Sequence, residues 1–475
     1  MSARQGKGLQ RSRGTLAWPC LAHWWPLLPL AFGLLLLAGC ARLRPAAGAT
    51  PAPTATVNPQ ATIRPGTRNP GQASATPQPA TTPLTLTIWG PDFMAPLDDA
   101  PGGTVLAAQI AAFSGAHPAW QVRYVRKKPY GQGGLTHFLR SSHAVAPASL
   151  PDLALVDMSE IGLLAGDGLL QPLDSLLGHD ITSDLPPFAR DAGTIGEHLV
   201  AVQYEADVRF LAYNSTMVAN PPTTWAEILS SGTTYLLPIG SSVGAVSDAF
   251  LPQYLALGGK LVDRDGHPYL DSTVVTAILE VYRSARRANL LLATGSDLAD
   301  ASACWPVFIT SSTANPEVAM TNVNSWDYGR DRTRLATTRV APLPTLSGNQ
   351  ISLSNGWGWV IITQDAKRQA AAAEFLRTIL QPEAMAAWSQ ATYHLPARRS
   401  ALPLAIQDRE YLTFLQRLFD VTVPQPRQPI YDLAVQALRP AIEGVIRGTL
   451  NPQTAAEQAA EKMRTSQAQD VGSQP

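Results

Sequence analysis

The residues of this 475-residue chain best placed to do chemistry are two carboxylates and a phenol in four consecutive positions, Tyr204-Glu205-Ala206-Asp207. Apolar runs flank them, Leu199-Val200-Ala201-Val202 ahead and Phe210-Leu211-Ala212-Tyr213 behind. β-Branched and aromatic runs of this kind form strands buried on at least one face. Unpaired charge is costly to bury, so the acids either find partners or line a solvent-filled cleft. The segment Gly196–Asn214 therefore has two readings: a surface turn between two strands, or a passage from one lobe to another with its polar side chains at the mouth. Glu205 and Asp207, two apart on a strand, would share one face. Two carboxylates about 5–10 Å apart are what glycosidic hydrolysis requires, but no hydrolase signature accompanies this pair. Asp207 and Arg209 could equally form a salt bridge across the same segment.

Other chemistries find less support. Lys+Arg and Asp+Glu are equal at 36 each, so no basic surplus points to nucleic acid. Beyond Cys20 and Cys40 the only cysteine is Cys304, which reads as a small buried apolar side chain. His117, His137, His143, His179, His198, His267 and His394 are scattered without metal-ligand spacing. No metal and no cofactor are expected.

Ahead of these segments, residues 1–40 read as a leader. Arg4, Lys7, Arg11 and Arg13 precede a short apolar run from Leu27 that ends at Leu37-Ala38-Gly39-Cys40. This end resembles the lipobox of bacterial lipoproteins, which implies that Cys40 is lipidated and becomes the first mature residue. The alternative is an uncleaved anchor over Leu16–Ala38, a stretch broken by Pro19, His23, Pro26 and Pro29. Residues 41–83 are rich in Pro, Ala and Thr and poor in large apolar side chains. Such a stretch buries too little surface to offset its ordering entropy and reads as a disordered tether, with ends roughly 35 Å apart.

The folded region begins with a strand over Leu84–Gly90 that carries Trp89 near its end, followed by a helix over Val105–Ser114 and strands over Trp120–Val125 and Asp152–Asp157. Short helices are expected at Ile161–Ala165 and Asp174–Leu177. Alternation at this spacing predicts an α/β sheet with parallel strands, whose ligands collect at the carboxyl ends, where Trp89 and Asp157 stand. Further on, Thr224 and Glu227 have capping-box spacing, and Asp265-Gly266 marks a turn. Helices are expected over Ser272–Ala288, Lys367–Ile379, Glu383–Ser389 and, two or three of them, Ile430–Ser466. Strands are expected over Glu317–Val323, Val340–Leu343 and the run ending at Ile362. Arg126–Ser149, apart from a helix over Gly134–Ser142, and Trp305–Pro316 carry no firm assignment.

Several segments together resemble the extracellular solute-binding proteins of carbohydrate ABC transporters, the maltose-binding-protein-like group. They are Leu86–Gly90; Pro151–Asp157 with Gly168–Asp174; Gly196–Asn214 followed by Pro222–Glu227; Leu257–Leu261 with Asp265-Gly266; Met320–Trp326; Gly356-Trp357-Gly358; and Leu395–Arg399. The resemblance covers essentially all of residues 84–464. It implies a two-lobe periplasmic-binding-protein-like fold of type II, a Venus flytrap with the ligand cleft between the lobes. One lobe is expected over residues 84–203 and 358–394, and the other over 204–357 and 395–475. The chain would cross near Tyr204–Phe210, return near Trp357–Val360 and cross again near Leu395.

By the same resemblance the ligand is a mono- or oligosaccharide, the partner is an ABC permease, and the protein is a monomer held to the outer face of the membrane through Cys40. A sugar offers C–H faces to aromatic rings and hydroxyls to planar polar groups. Of 11 tryptophans, Trp89, Trp326, Trp357 and Trp359 fall at strand ends or crossings. Glu205 matches a cleft acid of the maltose-binding relatives. Asp157, Asp207 and Asn324 are the other polar candidates, Tyr204 offers a ring and a hydroxyl, and Asp327 and Arg398 are second choices. The regions Pro91–Gly103 and Arg126–Ser149 carry no recognisable sugar signature. Other readings are the same fold holding a polyamine, metal chelate or phosphodiester, and a sensory lipoprotein.

Overall fold

The computed structural model describes residues 83–239, 244–292, 298–314 and 317–471. The leader, Cys40 and the tether up to residue 82 lie outside the described residues.

Two sheets organise the described chain. The first has five strands in the order Trp120–Lys127, Leu84–Pro91, Leu153–Asp157, Trp357–Ile361 and Val202–Gln203. Its first three strands run parallel, and Trp357–Ile361 enters antiparallel with Trp357 opposite Asp157. Leu153–Asp157 is buried along its whole length, which suits its all-apolar run closed by a single acid. The second sheet centres on the long strand Glu205–Asn214, flanked by Ser352–Asn355 and Met320–Asn324, with Thr422–Pro424 and Tyr235–Leu236 at its edges. Separate apolar cores form on the two sheets. Leu86, Ile88, Phe113, Leu155 and Phe375 belong to the first, and Leu211, Trp225, Ile278, Tyr282 and Leu438 to the second. Two α/β lobes result.

The chain passes from the first sheet to the second through one residue, Tyr204, between strand residues Gln203 and Glu205. It returns through Gly356, between Asn355 and Trp357. A third segment, Leu395–Pro396, leaves helix Pro382–Thr392 and pairs with the long strand, Pro396 opposite Glu205. On the strand's other side Asn355 stands opposite Asp207. All three passages thus converge on Glu205-Ala206-Asp207. Gly356 is required there: its φ is +152°, and a Cβ would lie 2.0 Å from the Glu205 carbonyl oxygen.

Local chemistry explains most elements. Thr224 and Glu227 form a complete capping box at the start of helix Trp225–Ser231. Asp271, Asp365 and Asp408 cap the helices beginning at Ser272, Ala366 and Arg409. One expectation needs correction, and two stretches without an assignment prove helical. Asp174–Leu177 forms turns rather than a helix; Asp174 instead accepts a hydrogen bond from Leu199 N. The unassigned stretch at Trp305 belongs to helix Ala301–Ala314, with the fully buried Trp305 donating to Asp331 Oδ2 at 2.7 Å. Arg409–Val421 is a helix for which no element was expected, its Tyr411, Leu415, Leu418 and Phe419 buried at helical spacing.

A third apolar cluster joins Phe188 and Ala189 to Val208, Phe210, Leu395, Leu415 and Phe419, so the passages run through a packed seam. Arg427 reaches from the second lobe's loop to the carbonyls of Asp191 at 2.7 Å and Thr194 at 2.7 Å. Replacing Gly356 with Ala should lower stability by about 2 kcal/mol or more, because the backbone must shift to free the Glu205 carbonyl. Chemical denaturation of the purified protein measures this, with Gly115→Ala as the control, since a Cβ there meets nothing within 4 Å and the backbone is not left-handed.

Candidate ligand-binding cleft

On the first lobe the carboxyl ends of the parallel strands present Trp89 and Asp157, as the alternation of strands and helices requires. Asp157 is 3% exposed. Its Oδ1 accepts from Ser159 N at 2.8 Å and Ser159 Oγ at 2.7 Å, and its Oδ2 accepts from Tyr130 Oη at 3.1 Å. Trp357, directly opposite Asp157 in the sheet, has Phe93 edge-on at 5.3 Å and Tyr130 tilted at 5.6 Å. Tyr130 and Phe93 remain exposed. Trp89 is nearly buried, and the Lys127 ammonium lies over its ring.

Tyr130 also borders a cavity of about 700 Å³ between helices Leu135–Val145 and Ile161–Gly166. Glu160 lines it and accepts from Thr136 Oγ1 at 2.6 Å. Burial raises the Glu160 pKa, and the neighbouring Asp157 and Asp432 add to the rise against the Thr136 hydrogen bond.

The second lobe supplies Asp207, Asn324 and Trp326. Asp207 Oδ1 accepts from Ser325 Oγ at 2.6 Å and Trp326 N at 2.9 Å. Both hydrogen bonds to Asp207 among the described residues fall on Oδ1. Asn324 donates to Ser302 Oγ at 3.0 Å, and Ser302 donates to Asp327 Oδ2 at 2.5 Å. The Asn324 Oδ1 is buried without a partner among the described residues. Trp326 donates from Nε1 to the Thr392 carbonyl at 3.0 Å and stacks on His394, centroids 5.9 Å apart. Arg330 lies over the same ring.

Glu205 joins the two groups at the crossing. It is 2% exposed, accepts from Trp388 Nε1 at 2.8 Å, and faces His394 Nε2 at 3.9 Å. Burial raises its pKa above the ordinary carboxylate value, while His394 and the Trp388 hydrogen bond pull it down and Asp207 pushes it up.

Two expected site residues are core residues instead. Tyr204 is 1% exposed, packs on Trp359 and Trp388, and reaches Gln109 with its hydroxyl. Trp359 is fully buried against Phe375. Alternation does not separate Trp357 from Trp359, which share one face of their strand; depth does, since Trp359 packs on Phe375 of helix Ala366–Ile379. The alternative in which Asp207 bridges Arg209 is not realised among the described residues. Arg209 instead pairs with Asp248 at 2.6 Å, both nearly buried, beneath the second sheet. Arg398 is 4% exposed and pairs with Asp184 at 2.8 Å, which makes it a packing residue. Sequence reasoning passed over Phe93, Tyr130, Lys127, Arg330 and His394. The basic, Gly-rich run Arg126–Gly133 left Tyr130's loop unassigned, and nothing local distinguished His394 from the other histidines.

The sequence profile of the bacterial extracellular solute-binding proteins matches residues 108–411. The chain belongs to this family. A stretch of 85 residues, 18% of the chain, is 32% identical to the maltotriose-binding protein of Pyrococcus abyssi (strain GE5 / Orsay), and the match spans 19% of that relative's length. The fold is shared with solved structures. The cyclic α-maltosyl-1,6-maltose binding protein from Arthrobacter globiformis superposes with a TM-score of 0.66 at 18% identity, over 81% of this chain and 99% of the other. The sugar-binding protein MalE from the phytopathogen Xanthomonas citri gives 0.67 at 17% identity, over 82% and 100%. This family's two-lobe architecture accounts for the paired sheets and their three passages.

The buried charges make two outcomes measurable. A glutamate whose folded pKa lies above its unfolded value favours the folded state at low pH and costs stability as pH rises. Glu205→Gln should therefore raise the melting temperature at pH 8, with the gain shrinking as pH falls toward 4.5, the ordinary value for glutamate. A pH series of thermal melts decides it, and an equal gain at pH 4 and pH 8 contradicts it. Arg209→Met strands Asp248 without its partner and should cost about 3–5 kcal/mol, read from urea unfolding.

Proposed function

We propose that this protein is a lipid-anchored extracytoplasmic binding protein that captures a carbohydrate and presents it to an ABC transporter permease. The observation that carries the reading is the composition of the strand ends around the crossing. Trp357, Phe93 and Tyr130 on one lobe and Trp326 on the other offer rings. Beside them Asp157, Glu160 and Asp207 are held by neutral donors such as Tyr130, Thr136 and Ser325, rather than by direct ion pairs among the described residues. Rings for C–H faces and oriented carboxylates for adjacent hydroxyls are the two halves of sugar recognition. The names of the similar proteins, which bind maltotriose and cyclic maltosyl-maltose, point the same way.

In this reading residues 84–203 with 358–394 form one moving body and residues 204–357 with 395–475 the other. They close on the ligand by rotation at the passages, and the protein binds without catalysing. Cys40 carries the lipid and residues 41–83 form the tether. No helix among the described residues is long and apolar enough to cross a membrane.

A thermal-shift screen of the purified folded region against mono- and oligosaccharides, polyamines and iron chelates tests the ligand class. A neutral oligosaccharide should give the largest shift; a clear shift with another class and none with any sugar rejects the carbohydrate reading. Trp326→Ala and Asp207→Ala should each weaken the best sugar by about tenfold, as expected for loss of a stacking ring or a charged hydrogen-bond acceptor. Unchanged affinity in both variants would remove the site assignment while leaving the fold intact.

A further inference from the structure

Two of the rings expected to meet ligand are already occupied by the chain's own cations. The Lys127 ammonium lies 3.9 Å from the Trp89 ring centroid and 4.4 Å from that of Phe138. The Arg330 guanidinium carbon lies 4.6 Å from the Trp326 ring centroid. The two cations come from different lobes, Lys127 from the end of strand Trp120–Lys127 and Arg330 from helix Ser325–Asp331. A cation over an indole is attracted by the negative face of the ring, and the attraction grows when the cation is desolvated. A face so covered is closed to the C–H face of a sugar.

We propose that Lys127 and Arg330 are internal competitors of the ligand, each capping a ring that the ligand must uncover before it can stack. The inference rests on the carbohydrate reading above and adds the residues that set affinity within it. The two caps differ in strength. Arg330 is also held by Asp327 Oδ1 at 3.1 Å and Asp331 Oδ2 at 2.8 Å, so it can leave the ring and keep its ion pairs. Lys127 has no ion pair among the described residues, and the two rings are its only aromatic or ionic contacts there. Its partial burial lowers its pKa, in keeping with a cation that rests on rings rather than in water. Its long flexible stem lets it swing aside at little cost. Any ligand that stacks on either ring, neutral or charged, must first break that cation–ring contact, and a ligand bearing an ammonium group is in addition repelled by the displaced cation. The caps thereby lower the affinity of any ligand that needs these rings, and removing one should raise it.

Isothermal titration of the folded protein and two variants tests this. The neutral probe is the oligosaccharide that gives the largest thermal shift, with maltotriose tried first, and the cationic probe is chitosan trisaccharide. Lys127→Met keeps the apolar stem and removes the charge; it should bind the neutral probe about threefold to tenfold tighter. Lys127→Arg keeps a cation over the ring and should stay within about twofold of the parent. The gain for the cationic probe in Lys127→Met should be at least as large as for the neutral one, because its ammonium also escapes repulsion by the displaced Lys127, a difference that a purely structural role for Lys127 would not produce. Arg330→Gln should shift neutral binding in the same direction. Unchanged or weaker binding of the neutral probe by Lys127→Met overturns the proposal while the carbohydrate reading stands. Failure of the parent and every variant to bind any sugar rejects the carbohydrate reading and the caps with it.

Discussion

The backbone pairing of Glu205-Ala206-Asp207 with Asn355 on one side and Leu395-Pro396 on the other is the constraint on which the rest depends. A strand that holds partners on both sides at its first residues cannot shift register without turning every side chain behind it to the other face. That register puts Asp207 against Ser325 and Trp326 N, Arg209 beneath the sheet against Asp248, and Phe210 into the seam cluster. Gly356 is the steric condition for it, since any Cβ would collide with the Glu205 carbonyl. Gly358 meets a similar limit further along the same strand, where a Cβ would lie 2.2 Å from Met158 Sδ.

Placing charge at such a junction is costly, and the structure meets the cost in two ways. Arg209 and Asp248 neutralise each other, with Ser247 Oγ and Ala301 N adding hydrogen bonds to the carboxylate. Among the described residues Glu205 has no cation nearer than His394 at 3.9 Å and accepts a hydrogen bond from the indole of Trp388. The first arrangement fixes structure. The second leaves a carboxylate whose charge is only partly compensated beside the rings of the cleft, where a change in its surroundings alters its protonation.

Much of the fold was legible because local rules and tertiary demands agreed. The capping box at Thr224, the amphipathic helix from Ser272 and the apolar run Leu153–Asp157 each carry a signal that needs no distant partner. Legibility failed where depth or a distant contact decided. Trp357 and Trp359 look alike in sequence, one turned toward Phe93 and Tyr130 and the other packed on Phe375. Arg209 is two residues from Asp207 but is claimed by Asp248, 39 residues away. Tyr130 and Lys127 gain their ring contacts only from elements distant in sequence, and no spacing along the chain encodes that; Arg330 stands four residues after Trp326 on one helix, a spacing that does encode their contact.

The three passages meet within a few residues of one strand, and this has a mechanical meaning. Linkages clustered at one spot hold two bodies against sliding and separation more firmly than against turning. In the proposed closure, residues far from that spot travel furthest for the same turn.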